Sequence, residues 1–238
     1  MKHNKTFVLS DIHGELEKFE EIMKHWNPGT MNLAILGDMI DRGENSLKVV
    51  QKIMQLKMRY QDQVVVLKGN HEDMLLLFLE VQDYETGDRY FNNGGNRTCA
   101  SFVDDEYIFF KSYEERARKM QQRKDEIKFI KELPFYYEFG DILFVHAGIN
   151  PLLDDWKETP RNDFLWGRGC WNFKNKTGKI VVFGHTVTQF LHPDKRNDIW
   201  ISKCGTYIDI DGGAVFGGQL NAIVINDKGE ILEKYKVL

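Results

Sequence analysis

Three cysteines in 238 residues leave little room for sulfur chemistry. Cys99, Cys170 and Cys204 are far apart and form no Cys-x-x-Cys pair, so nothing suggests a thiolate zinc site or a redox motif. An odd count fits reduced thiols in a cytosol better than a disulfide framework. No apolar run is long enough to span a bilayer. The first residues, Met1 to Lys5, are polar and lead into a short apolar strand, not a signal peptide, so the expected compartment is the cytoplasm. Strong charge of one sign is also missing: the formal net charge is -4, so the molecule as a whole is no electrostatic trap for nucleic acid. Neither a membrane nor a nucleic acid is expected as a partner. There is no repeat, linker or low-complexity tract. Apolar residues make up 42% and charged residues 29%, enough for a sizeable core under a charged surface. The length suits one domain over residues 1–238.

Two textures alternate in the first third of the chain. Lys5–Leu9, Asn32–Leu36 and Gln63–Leu67 are short runs rich in Val, Leu and Ile and read as buried strands. Between them, Leu16, Phe19, Ile22 and Met23 within Glu15–Trp26, and Leu47, Val50, Ile53 and Met54 within Ser46–Tyr60, recur at helical spacing. This β-α-β-α-β order predicts a parallel sheet with helices packed on it. Each strand ends in a polar turn, at Ser10–Gly14, Gly37–Gly43 and Gly69–Glu72. In open α/β sheets ligands bind in the crevice beyond such strand ends.

The middle differs. Tyr84–Arg97 reads as turn-like, with Asn-Asn-Gly-Gly-Asn at Asn92–Asn96, and Ser112–Glu132 reads as one long charged helix with a solvated face. Together they form a cap-like segment around residues 84–132. The last part reads as strands: Phe135–Phe139 and Ile142–Val145 about a Gly140-Asp141 turn, then Lys179–Phe183, Ile199–Ser202, Thr206–Ile210, Leu220–Ile225 and Glu230–Val237. The predicted architecture is a mixed α/β sandwich, two mixed sheets flanked by helices.

Four of the seven histidines, His13, His71, His146 and His185, stand just after an apolar strand or its turn, in the company of Asp11, Asp38 and Asn70. Imidazole and carboxylate without thiolate suit manganese, iron or zinc. The segments read SDIHG (Ser10–Gly14), GDMIDRG (Gly37–Gly43), GNHE (Gly69–Glu72), HAG (His146–Gly148) and FGHT (Phe183–Thr186). The fixed residues of GDxxDRG alone occur by chance on the order of once in a million start positions, and the other segments follow in order across most of the chain, so chance is a poor explanation. In this order they resemble the signature set of the phosphoprotein-phosphatase superfamily, whose members have the calcineurin-like metallophosphoesterase fold.

The resemblance implies hydrolysis of phosphate esters by a hydroxide held between two divalent metal ions, manganese first, with iron or zinc as alternatives. Asp38 would bridge the ions, Asp11 and His13 would complete one, and Asn70, His146 and His185 the other. His71 would give its proton to the leaving oxygen. Asp41 would bond its other nitrogen, fixing the tautomer and keeping it protonated. Arg42 would grip the phosphoryl oxygens through its planar fork, joined by Arg168 of FLWGR (Phe164–Arg168), with Asn70 and His71 also touching substrate. Two positions depart from the family pattern: Lys68 replaces the arginine common before GNHE, and Ser10 replaces the first glycine of GDxHG.

Shortness, NNGG at Asn92–Gly95, and IDIDGGAVFGGQLNAIVI at Ile208–Ile225 resemble the compact bacterial and phage branch. That branch contains broad-specificity Ser/Thr protein phosphatases and symmetrical diadenosine tetraphosphate hydrolases. The first is the leading expectation, with a phosphoprotein or small phosphorylated molecule as substrate, and the second is the alternative. Tyr84, Tyr90, Phe91 and Trp166 are read either as base-stacking residues or as packing. A metal-binding scaffold without catalysis would show gaps in the catalytic set, and there are none.

Overall fold

The computed structural model describes residues 1–105 and 107–238. The first half runs β1 (Lys5–Leu9), α1 (Leu16–Met23), β2 (Asn32–Ile35), α2 (Ser46–Tyr60), β3 (Val64–Val66), α3 (Asn70–Val81), α4 (Tyr84–Tyr90), α5 (Asn96–Val103), α6 (Tyr113–Met120) and α7 (Lys124–Lys131). The second runs β4 (Tyr136–Phe139), β5 (Ile142–Val145), α8 (Arg161–Trp166), β6 (Ile180–Phe183), β7 (Trp200–Ile201), β8 (Tyr207–Asp209), β9 (Leu220–Asn226) and β10 (Ile231–Val237). Both sheets are mixed and five-stranded, in the orders β10-β9-β1-β2-β3 and β4-β5-β6-β8-β7. In the first, β1, β2 and β3 are parallel and β9 runs antiparallel to β1; in the second, β5, β6 and β8 are parallel.

Strand alternation explains the layering. Phe7 and Leu9 of β1 face α1 and α2, joining Phe19, Ile22, Val50 and Ile53, while Val8 faces the second sheet. Ile142 and Phe144 of β5 meet Val8 and Ala34 between the sheets, and Leu143 and Val145 turn outward onto Trp156 and Phe164. Apolar side chains therefore fill three layers, and the two sheets are held face to face. Both parallel strand sets end at the same edge of the sandwich, which places the Asp and His turns together.

Three expectations need correction. Gly69–Glu72 is not a turn: Gly69 is extended and caps α3, which begins at Asn70 and buries Met74, Leu75, Phe78 and Leu79 at helical spacing. Residues 84–97 are mostly helical, in α4 and the start of α5, and the expected turn is kept only at Phe91–Gly95, where Gly94 has φ 101°. Asn and Gly disfavour helix locally, but burial of Tyr90, Phe91, Thr98, Cys99 and Phe102 outweighs propensity. Ser112–Glu132 is two helices. The chain breaks at residues 121–123, where Arg123 Nε donates to the Phe102 carbonyl at 2.7 Å, and Met120 and Ile130 go into the core. Glu106, inside the segment expected as a cap, lies outside the described residues.

Candidate metal and phosphate site

The strand ends deliver the expected residues to one place. The loop after β1 lies along the loop after β2, with the His13 N–H donating to the Asp38 carbonyl and Gly14 N–H to that of Met39, both at 2.9 Å. The loop after β5 is tied to the same region, since His146 Nδ1 donates to the Leu36 carbonyl at 2.9 Å. Asp11, His13, Asp38, Asn70, His71, His146 and His185 are all buried there.

Two groups of potential ligand atoms share Asp38. His13, Asp38 and His71 form one, and Asp38, His146 and His185 the other, with the atoms of each group within 4.8 Å of one another. Asp38 uses a different oxygen toward each: Oδ2 is 3.5 Å from His13 Nε2 and Oδ1 is 3.5 Å from His146 Nε2. That is the geometry a bridging carboxylate needs. Asp11 stands just outside both groups, with Oδ2 accepting the His185 N–H at 3.0 Å.

The donor set fits divalent ions on its own chemistry. The proton on His146 Nδ1 is committed to Leu36, so Nε2 turns a lone pair toward the Asn70 amide, 2.9 Å from Oδ1, a spacing that two ligands of one cation would have. His185 Nε2 is buried without a hydrogen-bond partner among the described residues. Burial, followed by the neighbouring Asp11 and Glu72, pushes the Asp38 carboxyl well above its usual range. Burial pushes His13, His146 and His185 down, so the imidazoles are neutral, as metal ligands must be.

His71 is built differently. Its Nδ1 is 2.7 Å from Asp41 Oδ2, while Nε2 is buried with no hydrogen-bond partner among the described residues and lies 3.9 Å from Asp38 Oδ2. Asp41 thus holds one tautomer, with the proton on Nδ1 and Nε2 directed into the site. The local field does not favour a standing imidazolium: burial first, then Arg42 and His146, lower the His71 pKa well below its ordinary value. Burial also raises the Asp41 carboxyl to about 7.

A model of the calcineurin-like phosphoesterases matches residues 5–200. The chain belongs to this family. As a curated relative, the asymmetrical bis(5'-nucleosyl)-tetraphosphatase PrpE of Anoxybacillus flavithermus is 24% identical over 91% of this chain and 88% of its own length. A solved structure of a putative diadenosine tetraphosphatase superposes with a TM-score of 0.64 at 17% identity, covering 99% of this chain and 94% of the other. A Saccharomyces cerevisiae protein serine/threonine phosphatase with similarity to human PP5 also reaches 0.64, at 16% identity, covering 98% and 80%. These neighbours share the two-sheet α/β fold, and the family uses divalent metals.

In this phosphoesterase the arginines stand at the rim. Arg42 Nη1 lies 2.5 Å from His13 Nε2, and its guanidinium stacks 4.9 Å from the exposed Phe216 ring. An ion claiming the His13 lone pair would displace the Arg42 guanidinium from it. Arg168 Nη1 donates to Thr186 Oγ1 at 2.8 Å, beside His185. Lys68 points away: Nζ donates to the Lys131 carbonyl at 3.1 Å over the Phe135 ring. The departure from the family's arginine therefore falls outside the cluster. Arg161 pairs with Asp73.

Three buried partners escaped sequence reasoning. The Glu72 carboxylate accepts the N–H groups of Asp38 at 2.9 Å and of Met39 and Gly69 at 2.8 Å, clamping the Asp38 turn onto α3. Tyr90 and Thr98 donate to Asp41 Oδ1 at 3.0 and 2.6 Å. Glu72 could have been found, since it closes the GNHE segment. Tyr90 and Thr98 carry no local signal.

Proposed function

We propose that this phosphoesterase hydrolyses phosphomonoesters of alcohols, foremost phosphoserine and phosphothreonine in proteins, with two divalent ions and manganese as the first to test. The observation that carries the reading is the His71–Asp41 pair, oriented at 2.7 Å with a free nitrogen facing the ligand cluster. A serine or threonine alkoxide is a poor leaving group and needs a proton as the P–O bond breaks. A nucleotide phosphate leaves readily and needs it less.

When bound by Asp11, His13, Asp38, Asn70, His146 and His185, the ions supply charge neutralisation and an activated water. The chain's own residues do the rest. Arg42 and Arg168 bind and orient the phosphoryl oxygens from the rim, with Asn70 and His71 on the inner side. Burial first, then Arg42 and His146, depress His71; the negative phosphoryl group beside the ring offsets them, so that in the complex Nε2 carries a proton taken up from solvent and passes it to the leaving oxygen. Asp41 keeps the ring oriented. In this reading the chain is one phosphoesterase unit, and the helices of residues 84–132 cap it.

A second reading is favoured by the near full-length similarity to PrpE: hydrolysis of a dinucleoside tetraphosphate. The test is product analysis with manganese-loaded protein on a phosphoserine peptide and diadenosine tetraphosphate in parallel, with Asp38→Asn as blank. Faster release of phosphate from the peptide supports the first reading. Faster appearance of nucleotides overturns it in favour of the second, ADP marking symmetrical and ATP with AMP asymmetrical cleavage. No turnover of either, with metals bound, overturns both.

A further inference from the structure

We propose that Tyr90 and Thr98 are positioning residues for the acid pair, and that the Asn92–Gly95 turn exists to hold them and Arg42 in register; this rests on the reading of His71 as proton donor. Asp41 is fully buried, and its two oxygens have separate tasks. Oδ2 faces His71 Nδ1 at 2.7 Å, while Oδ1 accepts the Tyr90 hydroxyl at 3.0 Å and the Thr98 hydroxyl at 2.6 Å. The Asp41 N–H in turn donates to Thr98 Oγ1 at 2.8 Å and Ser46 Oγ at 3.1 Å. With one oxygen anchored on α4 and α5, the carboxylate cannot rotate, and the other oxygen stays on the imidazole.

The turn explains why a Gly-Gly pair stands between the two helices. A Cβ on Gly95 would lie 2.5 Å from Tyr90 Cε1, so the Tyr90 ring occupies space that only glycine leaves. Gly94 has φ 101°, its carbonyl accepts the Arg42 N–H at 3.1 Å, and a Cβ there would meet Arg42 Cγ at 2.6 Å. One turn therefore grips both the ring that orients Asp41 and the backbone of the phosphate-binding arginine beside it. The Tyr90 ring also stacks on Phe78 of α3, the helix that begins with Asn70 and His71, with centroids 5.4 Å apart.

A role in packing alone does not account for the hydroxyl. Phenylalanine would fill the same space, and the Tyr90 hydroxyl, fully buried, donates to Asp41 and otherwise meets only Thr98, which is bonded to the same Asp41 oxygen, among the described residues. A buried hydroxyl kept for a single carboxylate serves that carboxylate.

The test compares kcat and KM for phenyl phosphate, a poor leaving group, and 2,4-dinitrophenyl phosphate, a good one, in manganese-loaded parent, Tyr90→Phe, Thr98→Val, Thr98→Ser and His71→Asn. His71→Asn should slow phenyl phosphate far more than the dinitrophenyl ester. Tyr90→Phe and Thr98→Val should show the same contrast at about tenfold in kcat with KM nearly unchanged, the usual scale for losing an orienting partner, and Thr98→Ser should restore the parent rate. In metal-free protein, the hydrogen-bonded Nδ1 proton of His71, assigned by its absence in His71→Asn, should exchange with water faster in Tyr90→Phe. If Tyr90→Phe slows both esters equally, or neither, while His71→Asn keeps its contrast, the inference falls and the proton-donor reading stands. If His71→Asn shows no contrast, the proton-donor reading falls and takes the inference with it. Should Thr98→Val not fold, Tyr90→Phe decides alone, because it keeps the ring.

Discussion

Asp41→Asn is an isosteric change whose outcome follows from hydrogen-bond direction. Oδ1 receives two hydroxyl donors, Tyr90 at 3.0 Å and Thr98 at 2.6 Å, so the amide oxygen of asparagine must take that place. The amide nitrogen then faces His71 Nδ1 at the 2.7 Å position, as a donor where the parent has an acceptor. The imidazole must answer with a lone pair on Nδ1, which moves its proton to Nε2 and removes the anion that favours the cationic ring. A neutral Nε2–H is a far weaker acid, and general acid catalysis contributes about 10²–10⁴-fold, so kcat on a phosphoserine peptide should fall by roughly that factor. The loss should not be one of folding. Burial raises the folded Asp41 pKa to about 7, so the stability a protonated carboxyl provides is present below the unfolded value of about 4 and lost as pH rises toward about 7. Asparagine never ionises, so at pH 8 the variant's Tm should match or exceed the parent's. The assay pairs steady-state kinetics with ring-nitrogen NMR of His71. Retention of activity within about threefold, or a His71 that keeps its proton on Nδ1, would refute the reasoning.

Asp38→Asn should lower metal content and rate far more than His3→Ala or His192→Ala, whose rings bond the Pro28 and Asp198 carbonyls at 3.3 and 2.9 Å; elemental analysis with kinetics checks it, and equal losses refute it. Arg42→Ala should lower kcat/KM by about 10²-fold yet leave metal content near the parent's, and loss of the ions would make Arg42 structural. Because burial, Asp11 and Glu72 hold a proton on Asp38 well above the usual carboxyl range, metal-free protein should lose stability as pH rises from about 4. The ions displace that proton, so the Tm gain on adding manganese should be larger at pH 8 than at pH 6, and an equal gain would contradict the ligand role. Hydrogen bonds from Ser202 and Thr206 lower the exposed Cys204 thiol to about 7, whereas burial raises Cys99 and Cys170 to about 12 and 11. Iodoacetamide should therefore alkylate Cys204 first, with a midpoint near pH 7, as read by peptide mass spectrometry; equal labelling of Cys99 would refute this.

What was legible in the sequence was whatever the chain repeats locally. Apolar strand runs with polar turns behind them located β1, β2, β3, β5 and β6, and the turns carried the ligand candidates. Contacts between distant segments were not legible. Thr98 and Tyr90 reach Asp41 across 57 and 49 residues, and nothing near Asp41 announces them. The helices of residues 84–103 were hidden for the opposite reason: their Asn, Gly and Thr content favours turns, and only burial against α2 and α3 makes them helical. The break between α6 and α7 depends likewise on a bond from Arg123 to Phe102, in another helix.

The site itself forms where local preference loses. Asp11, His13, Asp38, Asp41, Arg42 and His185 have φ between 46° and 71°, the left-handed region, at roughly 1–2 kcal/mol each. Six such residues sum to roughly 6–12 kcal/mol, the size of a domain's whole net stability, so the conformation must be imposed from outside each loop. The imposing contacts are backbone bonds between loops: His13 to Asp38 and Gly14 to Met39 at 2.9 Å, Gly43 to His13 at 2.9 Å, and Arg42 to Gly94 at 3.1 Å. The first three follow from parallel pairing of β1 with β2, which sets the two loops side by side before any ion arrives, and the fourth from the turn between α4 and α5. A ligand frame built this way is preorganised by the sheets, and an ion entering it need reorient only side chains, Arg42 foremost.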